Sequence, residues 1–430
     1  MEAIRKGNIT LKRILGDNWE DFVSKNRSKV TFPIAYNVWK VMNCREPEGL
    51  GYATYACPDH PEQITHVPRS CKSRFCSVCA KIQVDNWVAN MNRLFPNCSY
   101  FHITFTVPSQ FRELLFEKRF LLNAVFSASS QTLISFAKEQ GFLPAALGVL
   151  HTFGSDLKRH VHIHFVISAG GLKLSGKAER LSRFLKRKKK NPKAKKKKVT
   201  VLVDEPSWVY HSYFPHKMLR KRYQFLLIEH LKEMISAQLR SDSPDPDLNV
   251  FSDPSAVKGF FDDLKKEYKN GFYVNVSKER TEIEQTIGYI GRYARRPPLS
   301  EVRIKDYTGG WVVFEYKDYR SGGGKVLHKL RTLDFIGRLV RHIPPHGFNV
   351  IRHFGILASR VKKQYKEITD RLLNAPPRQK KAPNWRERQT VFQGKDPLVC
   401  KICGQVMQLV SHHIPNPLWR VKRQLRFAFS

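Results

Sequence analysis

The spacing of apolar and polar positions divides the chain into helical and extended stretches. Leu11 to Trp39 is helical in pattern with breaks, and Ala80 to Leu94 predicts a helix closed by Pro96. Tyr100 to Val107 (YFHITFTV) alternates and is rich in β-branched and aromatic residues, which predicts a strand. Phe111 to Gln140 returns to helical periodicity. Ala146 to Phe153 and His160 to Ser168 predict two more strands, and Ser212 to Leu239 a long amphipathic helix. Ser241 to Pro254 reads as a linker. Glu279 to Ala294 predicts a helix stopped by Pro297-Pro298. Val302 to Ile304, Trp311 to Tyr316 and Lys329 to Leu333 predict a small antiparallel set turning at Gly309-Gly310 and Gly322 to Gly324. Ala375 to Arg388 is a second, basic linker. No internal repeat is visible.

Charge narrows the choice of partner. Among 430 residues, 75 Lys and Arg oppose 37 Asp and Glu, a net +38. Arg180 to Lys198 contains 12 basic residues and no acid, so +26 remains for the rest. That run reads as a solvated loop, and the remaining excess calls for a polyanion, most simply nucleic acid. No run of 18 apolar residues occurs and the first residues lack a signal-peptide core, so no membrane partner is expected and the chain reads as cytoplasmic. Ser321 to Val326 lacks the first Gly and the hydroxyl residue of a phosphate-binding loop, so no nucleotide cofactor is expected.

The cysteines lie in two short regions, which suits metal binding under reducing conditions better than a disulfide scaffold. Cys57-x-x-His60, Cys71 and Cys76-x-x-Cys79 have the layout of a tetrahedral Zn²⁺ site. Cys57, His60, Cys76 and Cys79 are the first choice, Cys71 comes next, and Cys44 or His66 are replacements. Lys72 and Arg74 inside this cluster suit phosphate contact. Cys400-x-x-Cys403 with His412 is a candidate second zinc site without a clean fourth ligand.

His160-Val-His162-Ile-His164 is the most informative segment. On a strand these three imidazoles share a face. With 16 histidines, chance supplies about 0.02 such triplets. His151 ends the preceding strand, and a turn over Gly154 to Arg159 would bring it beside His162 and His164. Three neutral imidazoles with open positions suit a divalent ion that polarises a substrate oxygen. Tyr289 and Tyr293, four apart, share a helix face, and neighbouring Arg292, Arg295 and Arg296 argue against simple burial. Either phenol could attack phosphorus if a metal activates the phosphate.

Taken together, these segments resemble the two-tyrosine HUH transposases of rolling-circle insertion sequences, of insertion-sequence-ninety-one type, with their N-terminal zinc-binding domain. The resemblance runs from about Cys44 to about Gln364. It includes SCKSRFCSVC at Ser70 to Cys79, FHITFTVP at Phe101 to Pro108, and LHTFGSDLKRHVHIHFVISAGGL at Leu150 to Leu172. YIGRYARRPPLSEVRI at Tyr289 to Ile304, FEYKDYR at Phe314 to Arg320 and HIPPHGFNVIRHFGILASR at His342 to Arg360 continue it. It departs where His60 replaces a usual cysteine and in the lysine-rich insertion at Lys186 to Lys198.

The resemblance implies an α+β fold, an HUH-nuclease antiparallel sheet with flanking helices, spanning residues 99–345 with a basic loop at 180–198. A helical arm and small zinc-binding domain at 1–98 would precede it, and a basic region at 346–430 with the second zinc candidate would follow. It implies an endonuclease and strand transferase acting on single-stranded DNA at element ends and targets, without ATP. His162 and His164 would hold Mg²⁺ or Mn²⁺. Tyr289 or Tyr293 would form a 5′-phosphotyrosine, and the second tyrosine would serve a second transfer. His151 as third ligand rests also on likeness to three-histidine relaxases. The protein would work at the bacterial nucleoid, with a homo-oligomer one option. A plasmid relaxase or replication initiator of the same fold, or an inactive zinc-containing DNA-binding protein, are the alternatives.

Overall fold

The computed structural model describes residues 9–174, 206–243, 245–251, 253–280, 287–288, 291, 297–318, 322–375 and 382–429. The chain is α+β, with every strand pairing antiparallel. Its main sheet is built on β4 (Phe142–Phe153) and β5 (Arg159–Lys173), two long strands joined by a short turn. β3 (Tyr100–Thr106) lies on the other side of β5 and carries β7 (Val274–Val276), while β11 (Ile351–Gly355) flanks β4. β6 (Trp208–Tyr210) pairs with the end of β5 and prolongs it beyond the predicted Ser168.

Both faces of this sheet are covered. One face carries Ile103, Phe105, Ile163, Phe165 and Ile167, packed under α5 (Leu122–Glu139) and α6 (His216–Leu239). Tyr100, Leu147, Val149 and Val166 face the other way, against Trp87 and Met91 of α3 (Ser77–Leu94), Phe95 just after it and Tyr365 of α9 (Lys362–Leu372). Coverage on both sides explains why β4 is buried almost continuously instead of alternating. The segment Arg119–Glu139 is long and apolar enough to cross a membrane, yet 67% of its apolar window is buried within the protein. Its apolarity serves the core.

The predicted helix from Phe111 to Gln140 is two helices, α4 (Arg112–Glu117) and α5, separated by a tight turn at Arg119–Leu121. α7 (Pro254–Glu267) follows the expected linker and adds Phe261 and Leu264 to the core. No sequence expectation covered it. Of the helix expected at 279–294, Ile287, Gly288 and Gly291 are described and helical. Ile287 is buried in the α3 core, and a Cβ at Gly291 would meet the Val88 side chain at 2.4 Å.

A second core joins the N-terminal helices to the small sheet. β8 (Ile304–Tyr307), β9 (Trp311–Asp318) and β10 (Gly324–Arg331) form that sheet, and α8 (Thr332–Val340) begins where the third strand was expected to continue. Leu11, Ile14, Leu15 and Phe22 of α1 (Leu11–Lys25) pack with Phe314, Phe335, Ile336 and Leu339. Thr10 caps α1, its Oγ accepting from Arg13 N at 3.1 Å. α2 (Phe32–Met42) then leads to the cysteine-rich hairpin of β1 (Tyr52–Ala56) and β2 (Ile64–Pro68).

Residues beyond 346 go to several places. β11 completes the main sheet and α9 packs beneath it. α10 (Trp385–Gln393) starts on an Asn384–Glu387 capping box. β12 (Gln408–His413) pairs with β1, and α11 (Leu418–Phe429) lies on α2. The chain's end therefore returns to its beginning.

Phe165 anchors the sheet centre: it is fully buried, and its ring lies 2.8 Å from where a Gly148 Cβ would stand. Phe165→Ala is expected to destabilise the protein by about 3–5 kcal/mol, measured by urea denaturation.

Candidate functional site

The sheet brings three histidines together. On β5, Val161, Ile163 and Phe165 enter the α5–α6 core, so His162 and His164 must face the opposite side. His151 sits on β4 directly across from His162. Ring centroids are 5.2 Å apart for His151–His162, 4.9 Å for His151–His164 and 4.7 Å for His162–His164. One nitrogen from each lies within 4.8 Å of the others. His160 lies tilted beside His162, ring centroids 4.8 Å apart, but stands outside that triplet.

Neighbouring groups fix how the rings are presented. The Nδ1 of His162 lies 3.0 Å from the His160 carbonyl, to which it donates. The Nδ1 of His164 lies 3.1 Å from Thr104 Oγ and 2.9 Å from His102 Nε2, both from β3. These Nδ1 contacts fix the tilt of both rings, as neighbouring groups do for metal-type imidazoles. Burial, with the adjacent His151 as the second cause, pushes His162 and His164 far below their ordinary pKa. Burial and then Arg280 lower His102 to about 4. His162 and His164 are thus neutral near pH 7, the state in which imidazole binds metals. Sequence reasoning overlooked His102 and Thr104. Their signal was the alternation in FHITFT, which puts both on the face that β5 fills with histidines.

Another buried histidine braces the turn below the cluster. His342 Nδ1 is 3.1 Å from Thr152 Oγ, and its Nε2 is 3.1 Å from the Leu157 carbonyl. Thr152 adjoins His151, and Leu157 lies in the β4–β5 turn with φ of 61°. His342 therefore ties the end of β4 to the turn that sets its register with β5.

The cysteines form two four-donor groups, and their membership differs from expectation. Cys44, Cys71, Cys76 and Cys79 converge, with sulfurs 3.6 Å apart for Cys44–Cys79, 3.5 Å for Cys71–Cys79 and 3.7 Å for Cys76–Cys44. Cys57 and His60 do not join Cys76 and Cys79; they face Cys400 and Cys403. The β1–β2 hairpin is the reason. Cys44 and Cys71 stand at its base and Cys57 at its tip, and a strand of five residues spans roughly 17 Å. His412, on β12 opposite Ala53, is absent from the second group, and His66 Nδ1 lies 3.3 Å from Thr54 Oγ, outside both. Hydrogen bonds from Cys44 and then Cys71 drive the Cys79 thiol well below its usual range. Its place in the first turn of α3 also favours thiolate.

Lys72 is exposed in a left-handed turn of φ 52°, its carbonyl accepting from Gln83 Nε2. Arg74 lines a small recess with Arg119, Thr152 and His342, so the cysteine loop abuts the histidine end of the sheet. A wider cleft of about 670 Å³ opens over β11, lined by Arg119, Asn123, His346, Phe348, Arg352 and His353 among others. Burial lowers Arg119 to about 10. The Arg352 guanidinium lies 4.1 Å from the Phe126 ring centre and 5.3 Å from that of Phe348. Tyr289, Tyr293, Arg292, Arg295, Arg296 and the basic loop at 180–198 lie outside the described residues.

A sheet presenting three clustered imidazoles beside a cysteine-rich N-terminal unit is matched by two transposase families. The family described as "Putative transposase" matches residues 145–365, and "Transposase zinc-binding domain" matches residues 14–107. The chain belongs to the transposases of insertion-sequence-ninety-one type with an N-terminal zinc-binding domain. It is 29% identical over 361 residues to the transposase for insertion sequence element IS801 of Pseudomonas savastanoi pv. phaseolicola, covering 83% of this chain and 79% of that protein. It is 26% identical over 345 residues to the putative transposase y4qJ of Sinorhizobium fredii, covering 78% and 79%. No solved structure matches.

His342 makes stability pH-dependent. Burial holds its folded pKa at about 3, below the ordinary 6.5. As pH falls below about 6.5 the unfolded chain gains a proton there that the folded chain refuses until about 3. This residue therefore removes up to about 1.4 kcal/mol of stability per pH unit across that window. His342→Asn, which can keep the Thr152 bond, is expected to flatten the slope by up to one proton in denaturant titrations between about pH 6 and pH 4.

Proposed function

We propose that this transposase nicks single-stranded DNA at the ends of a mobile element and transfers the cut strand through a 5′-phosphotyrosine, within the bacterial cytoplasm. The observation that carries the reading is the buried triplet of His151, His162 and His164. The donors suit a divalent ion: they are mutually close, and His162 and His164 are neutral and oriented through Nδ1. Imidazoles without a carboxylate favour Mn²⁺ over Mg²⁺ among the expected ions. Such an ion would supply positive charge that polarises the scissile phosphate.

The rest of the chemistry belongs to the chain. The phenol oxygen of Tyr289 or Tyr293 attacks phosphorus and the bond to the 3′-oxygen breaks. The phenol's proton ends on that oxygen, leaving a free 3′-hydroxyl and a phosphotyrosine. One phosphodiester replaces another, so no ATP is needed, and attack by a 3′-hydroxyl reverses the step. The second tyrosine allows a second transfer while the first link persists. Ile287 and Gly291, which flank Tyr289, pack against α3 on the histidine face of the sheet, in keeping with these roles.

Single-stranded DNA suits the surface. A net +38 favours phosphate, and the cleft over β11 combines Arg119 and Arg352 with the ring of Phe348, a mixture suited to unstacked bases. Cys44, Cys71, Cys76 and Cys79 would hold a structural Zn²⁺. Sulfurs bound at about 2.3 Å to one tetrahedral ion stand about 3.8 Å apart, close to the spacings found here.

The test is cleavage of single-stranded oligonucleotides from the element's ends by wild type, Tyr289→Phe, Tyr293→Phe and the double variant, with Mn²⁺ or with EDTA. A metal-dependent covalent adduct that disappears in the double variant is expected, and the single variants order the two steps. Tight, salt-sensitive binding with no adduct on any strand would replace this reading with that of a DNA-binding protein. His102→Ala is expected to raise the Mn²⁺ concentration for half-maximal cleavage about 10–100-fold while leaving activity at saturating Mn²⁺.

A further inference from the structure

We infer that Cys57, His60, Cys400 and Cys403 form a second structural zinc site, one that staples the C-terminal arm of the chain to the tip of the N-terminal hairpin. The matched zinc-binding family spans residues 14–107 and so contains only half of these donors. The inference is independent of the cleavage chemistry.

Geometry is the first support. Cys57 and Cys403 sulfurs are 3.5 Å apart, and His60 Nδ1 lies 3.8 Å from the Cys57 sulfur and 3.9 Å from that of Cys400. Three sulfurs and one nitrogen around one tetrahedral Zn²⁺ would stand roughly 3.5–3.8 Å apart. A disulfide between Cys57 and Cys403 would instead need about 2.05 Å. Local backbone prepares both halves. Cys57 N donates to the Gln63 carbonyl at 3.2 Å, and Gln63 N to the His60 carbonyl at 2.9 Å, closing a loop around the first pair. The second pair sits in a knuckle, where Gly404 N donates to the Cys400 carbonyl at 3.0 Å and Cys400 N to the Gln405 carbonyl at 2.8 Å. Gly404 turns left-handed at φ 75°, which glycine permits without strain.

The second support is how small the apolar core at this corner is, beside the β1–β12 ladder and the packing of Leu425 and Phe429 of α11 on the second core. Its apolar core is Cys57, Cys400 and Met407 with Tyr55 partly buried. All six residues of β12 are exposed, and Val421 is the one buried residue of α11. Polar ties such as Gln405 Nε2 to Asp59 Oδ2 at 2.6 Å and Asn416 Nδ2 to the Glu48 carbonyl at 2.8 Å are exposed or half-exposed, where each contributes little. Units with so small a core generally need a metal or a covalent staple. Here the staple would join residues more than 340 positions apart. It would hold the basic helix α11 on α2, where Lys422 lies over Tyr36 and Arg426 over Phe32.

The test is metal content and cobalt spectroscopy of the full chain in a His162→Ala/His164→Ala background, so that the imidazole triplet is not counted. Two zinc ions per chain are expected, falling to one in Cys400→Ser/Cys403→Ser. With Co²⁺, His60→Cys is expected to keep two ions while the ligand-field bands shift from a mixed sulfur–nitrogen set towards an all-sulfur set. Trypsin is expected to cut α11 several-fold faster in the double-serine chain than in its parent. One zinc ion per chain in the parent would overturn the inference. So would two ions retained in the double-serine chain, or a Cys57–Cys403 disulfide found by mass spectrometry.

Discussion

The pairing of β4 with β5 is the constraint on which the rest depends. The register sets His151 opposite His162 and Val149 opposite His164. A slip of one residue would turn every side chain of the slipped strand to the other face, sending imidazoles into the α5–α6 core and aliphatic groups into the histidine cluster. Several features oppose such a slip. The Phe165 ring packs over Gly148, where no larger side chain fits, and His342 bonds both Thr152 and the Leu157 carbonyl across the turn. β3 adds a third ladder, in which Thr104 stands opposite His164.

The two faces of the sheet then take different tasks. Aliphatic and aromatic side chains on one face pack with α5 and α6 and supply the burial that favours folding. The other face mixes apolar residues with imidazoles and is covered by α3, α9 and Ile287. That covering desolvates His162 and His164 and keeps them neutral, so the packing that shields the cluster also holds these imidazoles in the protonation state that suits a metal. α3 serves both ends, since its first turn carries Cys79 and its later turns pack beneath the histidine sheet.

Chain closure is the less visible part of the design. Residues from Leu398 onward return to the first sixty residues through the β1–β12 ladder, the α2–α11 contact and the second group of metal-type donors. The cysteine-rich N-terminal unit is thus completed by residues from Leu398 onward, with the histidine sheet lying between the two in sequence. Arg74, from the cysteine loop, borders the recess beside Thr152 and His342, so the two parts meet next to the histidine cluster.

Much of this was legible in order and type. Alternation marked β3, β4 and the histidine run of β5; helical periodicity marked α3, α5 and α6; and His-x-His-x-His with His151 upstream already named the triplet that the sheet assembles. These signals are local, because the period of an element and the face of a strand are properties of neighbouring residues. The partnership of His102 and Thr104 with His164 was not legible, since it arises from pairing between strands some sixty residues apart. The division of the cysteines was hidden for the same reason. Spacing alone favoured Cys57 and His60 with Cys76 and Cys79, whereas the length of the hairpin separates those pairs and a distant segment supplies their partners. Sequence by itself determined which residues could bind a metal and which could form each element. Tertiary structure decided which of them meet, because contact across a fold depends on register and strand length as well as on residue type.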